Sequence, residues 1–149
     1  MEQNFVSNIK LLRQEYNVSQ PQLAKETGLK KSAIGHWELG NRTPSATAVI
    51  ILSRYFQVTT DYLLKVSNDN SIIHRGDDFN VDLATFNKRL KALRLKCNKS
   101  QKDLAMETNL SQPSINFWER GKCLPNANAI ITLANYFGVT TDYLLGESD

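Results

Sequence analysis

The sequence predicts an all-α chain of two tandem five-helix domains joined by a polar linker, and three observations predict it. The segment Ser19 to Gly40, SQPQLAKETGLKKSAIGHWELG, recurs downstream as Ser100 to Gly121, SQKDLAMETNLSQPSINFWERG. Aligning residues 5–64 with 86–145 needs no gap, and roughly half of the paired positions are identical, so 149 residues hold one module twice. Within each copy, apolar residues recur at helical spacing and are punctuated by glycines, prolines and capping residues. The expected organisation is a first domain over 1–65, a linker over 66–84 and a second domain over 85–149.

The first helix of each copy is expected to begin after Asn4 and after Thr85, N-cap residues at matched positions. Its buried stripe is Phe5, Ile9 and Leu12, matched by Phe86, Leu90 and Leu93. The second helix starts at Ser19 or Ser100. Leu23, Thr27, Leu29, Ile34 and Trp37 then fall at helical spacing on either side of Gly28, so two helices share one buried face across a tight turn. Gly28 supplies the positive φ that such a turn needs, and Asn109, the next-best residue for that conformation, replaces it in the second copy. Ala24 and Ala105 stand where the two helices approach most closely.

The third helix is expected over 31–38 and 112–119. Ser111 is a sound N-cap for it and Lys30 a poor one, while Pro113 fits the first turn, where its missing N–H would be unpaired anyway. Gly40 and Gly121 suit a left-handed C-terminal cap. The fourth helix, 45–56 and 126–137, sends Ala48, Leu52 and Phe56, or Ala129, Leu133 and Phe137, into the core. The fifth lies in the run TTDYLL with a Thr as cap; Tyr62, Leu63 and Leu64 are either core or a partner surface.

Each copy is near the lower size at which a domain folds unaided, so its core must be compact. No apolar run approaches the roughly twenty residues of a membrane span, and the start is not that of a signal peptide, which points to the cytoplasm. Cys97 and Cys123 replace Tyr16 and Arg42 of the first copy, so they form no repeated disulfide or metal framework. The first copy has seven cations against four anions and the second nine against four, with further acidic residues in the ends and the connector. Basic modules with acidic margins suit a polyanion partner. There is no phosphate loop, no metal-ligand cluster, no nucleophile-base pair and no cofactor motif, so the sequence does not read as an enzyme.

The Ser-Gln start, the Leu-Ala pair, the Trp-Glu-x-Gly close, Pro44 and Pro125, and the endings YFQVTTDYLL and YFGVTTDYLL make both copies resemble the lambda-repressor-like (Cro/Xre-type) helix-turn-helix family. The resemblance implies a third helix that enters the major groove of double-stranded DNA. The base-reading positions are then Lys31, Ser32, Gly35 and His36 in one copy and Gln112, Pro113, Ser114, Asn116 and Phe117 in the other. It further implies phosphate contacts at Gln20, Lys30, Asn41, Arg42, Gln101, Ser111 and Lys122, and Arg-Glu pairs joining Arg13 to Glu38 and Arg94 to Glu119. The chemistry is apt: Lys donates to guanine, Gln and Asn pair with adenine, and Phe contacts a thymine methyl. His36, a lone histidine on an exposed helix, reads as a polar contact and not as a metal ligand.

The linker, KVSNDNSIIHRGDDFNVDLA with its preceding lysine, is rich in Asn, Asp and Ser; as a flexible coil it would span roughly 25 Å, comparable with the roughly 34 Å between adjacent major-groove faces. Ile72, Ile73 and Phe79 are apolar enough to dock on a neighbour. The leading expectation is a sequence-specific transcriptional regulator, a repressor acting by operator occupancy, with homodimerisation expected from the family. The competing one is an interaction protein (an antitoxin, an inhibitor or a polymerase-contacting activator) whose second domain dimerises or binds protein through a face marked by Phe117.

Overall fold

Seven of the helix starts are built by a short polar side chain folding back on the backbone. Ser19, Ser45, Thr59, Ser100, Ser111, Asn126 and Thr140 each accept a hydrogen bond from the backbone N–H three residues on. Such a cap stabilises a helix by about 1 kcal/mol. In the computed structural model, which describes residues 5–73, 79, 81 and 84–148, these caps open helices of 4 to 11 residues. Ten helices and no β-strand occur among the described residues.

The chain divides into two compact units, residues 1–81 and 82–149. The first holds α1 (Ile9–Glu15), α2 (Gln20–Thr27), α3 (Lys31–Leu39), α4 (Ala46–Phe56) and α5 (Thr60–Leu63). The second holds α6 (Ala84–Lys96), α7 (Gln101–Thr108), α8 (Gln112–Glu119), α9 (Ala127–Phe137) and α10 (Thr141–Leu145). In the first unit Ile9, Leu23, Ile34, Leu52, Phe56 and Leu63 are fully buried; in the second Phe86, Leu90, Leu104, Ile115, Leu133 and Leu144 are. Each such side chain is worth about 1.5–3 kcal/mol of transfer free energy, which is how so small a core holds.

Four expectations change at the first and fourth helices. The N-cap assigned to Asn4 lies outside the described residues; α1 starts at Ile9 after Asn8, whose side chain caps nothing and instead donates to the Tyr62 carbonyl at 2.7 Å. That buried long-range bond outweighs the local one. α6 starts at Ala84, so Thr85 lies inside the helix. Of the predicted stripe, Phe5 and Leu93 are only half-buried.

Phe137 is also half-buried, whereas its counterpart Phe56 is wholly enclosed. The reason is one residue on the first helix. Tyr16 packs edge-on against Phe56 with ring centroids 5.2 Å apart and donates its hydroxyl to the Phe56 carbonyl at 2.6 Å. Cys97 occupies that place in the second copy and is too short to cover the ring.

Tyr62, Leu63 and Leu64 are all buried, as the core reading has them. Past α5 the chain stays near the first unit. The Ile73 N–H donates to the Gln57 carbonyl at 2.7 Å, and the Phe79 ring tilts against Tyr55 at 6.4 Å, while Ile72 is exposed. Part of the segment expected to be free coil is thus held by contacts.

Candidate nucleic-acid interface

The turn between α2 and α3 fixes how the third helix is offered. Gly28 ends α2 at φ +78° with its N–H on the Ala24 carbonyl; a Cβ there would meet nothing within 4 Å, so the requirement is backbone conformation and not space. Asn109 adopts the same left-handed state at φ +59° and ends α7 in the same way.

A charged clamp then ties the first helix to the third. The Arg13 guanidinium donates through Nε and Nη2 to the two Glu38 carboxylate oxygens, both at 2.9 Å, and through Nη1 to the Val18 carbonyl at 3.1 Å. Arg94 repeats all three contacts on Glu119 and the Lys99 carbonyl, at 2.8, 2.9 and 2.8 Å. Both carboxylates are almost completely enclosed, at 4% and 3% exposure. The fork geometry satisfies each carboxylate on both oxygens, and hydrogen bonding to Glu38 or Glu119 holds each arginine above its ordinary pKa. Trp37 and Trp118, the residues before these glutamates, pack into the core and fix the roll of the helix.

With Ile34 and Trp37 turned inward, the outer side of α3 carries Lys31 and Ser32, both exposed, and Gly35 and His36, both half-buried. The outer side of α8 carries Gln112, Pro113 and Phe117, exposed, with Ser114 and Asn116 half-buried. Gln101 joins the last group: with Gln112, Pro113, Asn116 and Phe117 it lines a shallow depression of about 290 Å³. Phe117 keeps 44% of its surface exposed there.

The two faces differ in how tightly their polar groups are held. In the first, Gln20 Oε1 lies 3.8 Å from where a Cβ on Gly35 would stand, so no side chain restrains it at that position. In the second, Asn116 fills the gap: its Nδ2 donates to Gln101 Oε1 at 3.2 Å, and its Oδ1 accepts from Arg120 Nη1 at 3.5 Å. Arg120 is a member of this face that sequence reasoning overlooked, although its spacing of four residues from Asn116 was the signal. The first face has a pairing of its own, His36 Nδ1 to Asn41 Oδ1 at 2.9 Å.

The residues assigned to phosphate lie around these helices. Lys30, Asn41, Arg42, Ser111 and Lys122 are exposed, and Gln20 and Gln101 are half-buried in the first turn of α2 and α7. Lys30 precedes α3 without a side-chain cap bond, whereas Ser111 accepts from the Ser114 N–H at 3.1 Å. Gly40 caps α3 in the left-handed region; after α8 the cap is Arg120 in helical conformation, and Gly121 takes positive φ one residue later. Cys97 and Cys123 are exposed free thiols. Among the described residues no cluster of His, Cys, Asp or Glu could hold a metal ion, and no helix is long and apolar enough to cross a membrane.

Comparison with known proteins places these features. A helix-turn-helix family model matches the chain twice, over residues 9–63 and 90–144. The HTH-type transcriptional regulator ImmR of Bacillus subtilis (strain 168) is 36% identical over 62 residues, 42% of this chain and 49% of that protein. The HTH-type transcriptional activator BcrR of Enterococcus faecalis is 38% identical over 64 residues, 43% of this chain and 31% of that protein. An uncharacterized HTH-type transcriptional regulator of B. subtilis, YobD, is 29% identical over 65 residues, 44% of this chain and 58% of its own length. The aligned stretch thus spans between about a third and three-fifths of these relatives. With the turn, the clamp and the exposed third helix all present in both matched stretches, the chain belongs to the Cro/C1-type helix-turn-helix family, carried twice in tandem.

Proposed function

We propose that this chain is a sequence-specific double-stranded-DNA-binding transcriptional regulator, and that it represses by occupying its operator. The observation that supports this reading best is the paired arrangement of a clamped third helix with an outward polar side, flanked by exposed Lys30, Arg42 and Lys122. Lys31, Ser32, Gly35 and His36 would meet base edges from α3, and Gln112, Pro113, Ser114, Asn116 and Phe117 from α8. Phosphates would be met by Gln20, Lys30, Asn41, Arg42, Gln101, Ser111 and Lys122. The relatives' names support transcriptional regulation, and one of them is named an activator; repression is our reading because grip and base readout suffice for occupancy. Two domains on one chain also offer a monomer what a homodimer would otherwise supply. A cytoplasmic location belongs to the same proposal.

The test is selection of bound duplexes from a randomised pool by the full chain at two salt concentrations. A two-part motif means both copies read. Each phosphate contact should add about 0.9 to the slope of log affinity against log salt. Lys31→Glu and Asn116→Asp should then weaken binding to the selected duplex alike. A second reading is favoured by one observation, the 44% exposure of Phe117: the second unit contacts protein while the first reads DNA. A one-part motif that responds to Lys31→Glu and ignores Asn116→Asp would establish that division, and no enrichment at all would refute DNA reading.

A further inference from the structure

The pairing of His36 with Asn41 determines more than where the imidazole sits. Asn41 Oδ1 is a carbonyl oxygen and can only accept, so at 2.9 Å the His36 nitrogen facing it must carry the proton. In a neutral imidazole the other nitrogen, Nε2, is then an acceptor. Nε2 has no protein partner among the described residues. Asn41 is itself held in register, because its backbone N–H donates to the His36 carbonyl at 3.2 Å just past the left-handed cap at Gly40. Its side-chain Nδ2 keeps both N–H groups for other acceptors.

We propose that Asn41 is a positioning residue that fixes His36 as the Nδ1–H tautomer, so that the first reading face presents an acceptor to the major groove and selects cytosine or adenine. Those two bases carry exocyclic amines that donate in the major groove, at N4 and N6; guanine and thymine offer O6 and O4, which would face Nε2 acceptor to acceptor. This inference rests on the reading that α3 enters the groove. The Asn41 amide that anchors the ring is also free to donate to a phosphate, which couples backbone grip to base choice through one side chain. The second copy has no such device: Phe117 and Lys122 stand at the two positions.

Two measurements test the proposal on the full-length chain. Long-range proton–nitrogen correlation spectra of the imidazole, with His74→Gln removing the other histidine, should show Nδ1 protonated near neutral pH; Nε2–H or an even mixture overturns the proposal with no DNA involved. In the selected duplex, one base-pair preference should be lost from the motif in His36→Ala, and in the parent replacing the amine-bearing base of that pair by its amine-free analogue (purine for adenine, 2-pyrimidinone for cytosine) should weaken binding about fivefold, the worth of one neutral hydrogen bond. Asn41→Ala should erase that preference, Asn41→Asp should keep it because a carboxylate also accepts from Nδ1–H, and His36→Lys should move it to guanine. Unchanged binding when that amine is removed, or a preference that survives Asn41→Ala, overturns the proposal. A pool without enrichment overturns the base preference together with the DNA reading, and the spectrum still decides the tautomer.

Discussion

Removing Arg94 should nearly unfold the second unit, and removing its partner as well should largely restore it. Glu119 is only 3% exposed and receives both of its strong hydrogen bonds from Arg94, at 2.8 and 2.9 Å. Arg94→Met keeps the stem of the side chain but leaves a carboxylate enclosed without its counter-charge, which costs about 3–5 kcal/mol. A domain of this size is stable by roughly 3–10 kcal/mol, so most of its margin goes. Arg94→Met with Glu119→Leu removes the charge from both sides and should recover to within about 1 kcal/mol of the parent, the remainder being the Lys99 carbonyl that loses its donor.

The two tryptophans allow each unit to be followed separately. Trp118 adjoins Glu119 in the second unit, and Trp37 adjoins Glu38 in the first. In a Trp37→Phe background, urea unfolding read by Trp118 fluorescence should show the midpoint falling by about 3 M in the single variant, taking a slope of about 1 kcal/mol per molar urea. A fall of less than about 1 M, or equal midpoints for the single and double variants, would refute the reasoning, because the cost would then not come from a stranded charge. Arg13→Met should cost less than Arg94→Met, since the Arg13 side chain is 16% exposed against 9%.

Cys97→Tyr should stabilise the second unit by about 1–2 kcal/mol, by covering Phe137 as Tyr16 covers Phe56 and supplying one carbonyl hydrogen bond; Trp118 fluorescence in urea reads it, and no gain would mean Phe137 is exposed for another reason. Gly28→Asn should cost under about 1 kcal/mol, because Asn109 already holds that conformation at φ +59°, while Gly28→Val should cost about 2 kcal/mol or more. Trp37 in a Trp118→Phe background is the reporter. Hydrogen bonding from Tyr136, and then from Lys99, lowers the Glu107 pKa below its ordinary 4.5. A depressed carboxylate adds stability above the unfolded value and loses it as pH falls through the folded one, so Tyr136→Phe should flatten the melting temperature against pH below about 4.5; an unchanged curve would refute the link.

The parts of this molecule that were legible in the sequence are those set by local chemistry. The repeat displayed the all-helical tandem fold, and the caps at Ser19, Ser100 and Ser111 bounded their helices to within a residue. Where two local choices competed, tertiary contact decided. Asn8 is as good an N-cap by type as Asn4, and it is the carbonyl of Tyr62, far along the chain, that claims its side chain. Phe137 was misjudged because half-identical copies invite the assumption of equal cores, when one lost tyrosine on another helix uncovers the ring. The ties of Gln101 to Asn116 and of His36 to Asn41 depend on rotamers and on the angle between helices, which no spacing rule contains.

That division has a consequence for how the two faces differ. The turn, the clamp and the tryptophan fix the third helix from its inner side, and all three occur in both copies. Outward residues are then nearly free of stability cost, since substitutions at exposed positions generally shift it by no more than about 0.5 kcal/mol. Lys31 against Gln112 and Ser32 against Pro113 are differences of this kind, and Gly35 against Asn116 and His36 against Phe117 stand beside them on the same outward side. The first face is left with Gln20 opposite Gly35 and an oriented imidazole, the second with an amide network around Gln101 and an exposed ring. One scaffold used twice therefore presents two unlike surfaces, and their chemistry has to be measured separately.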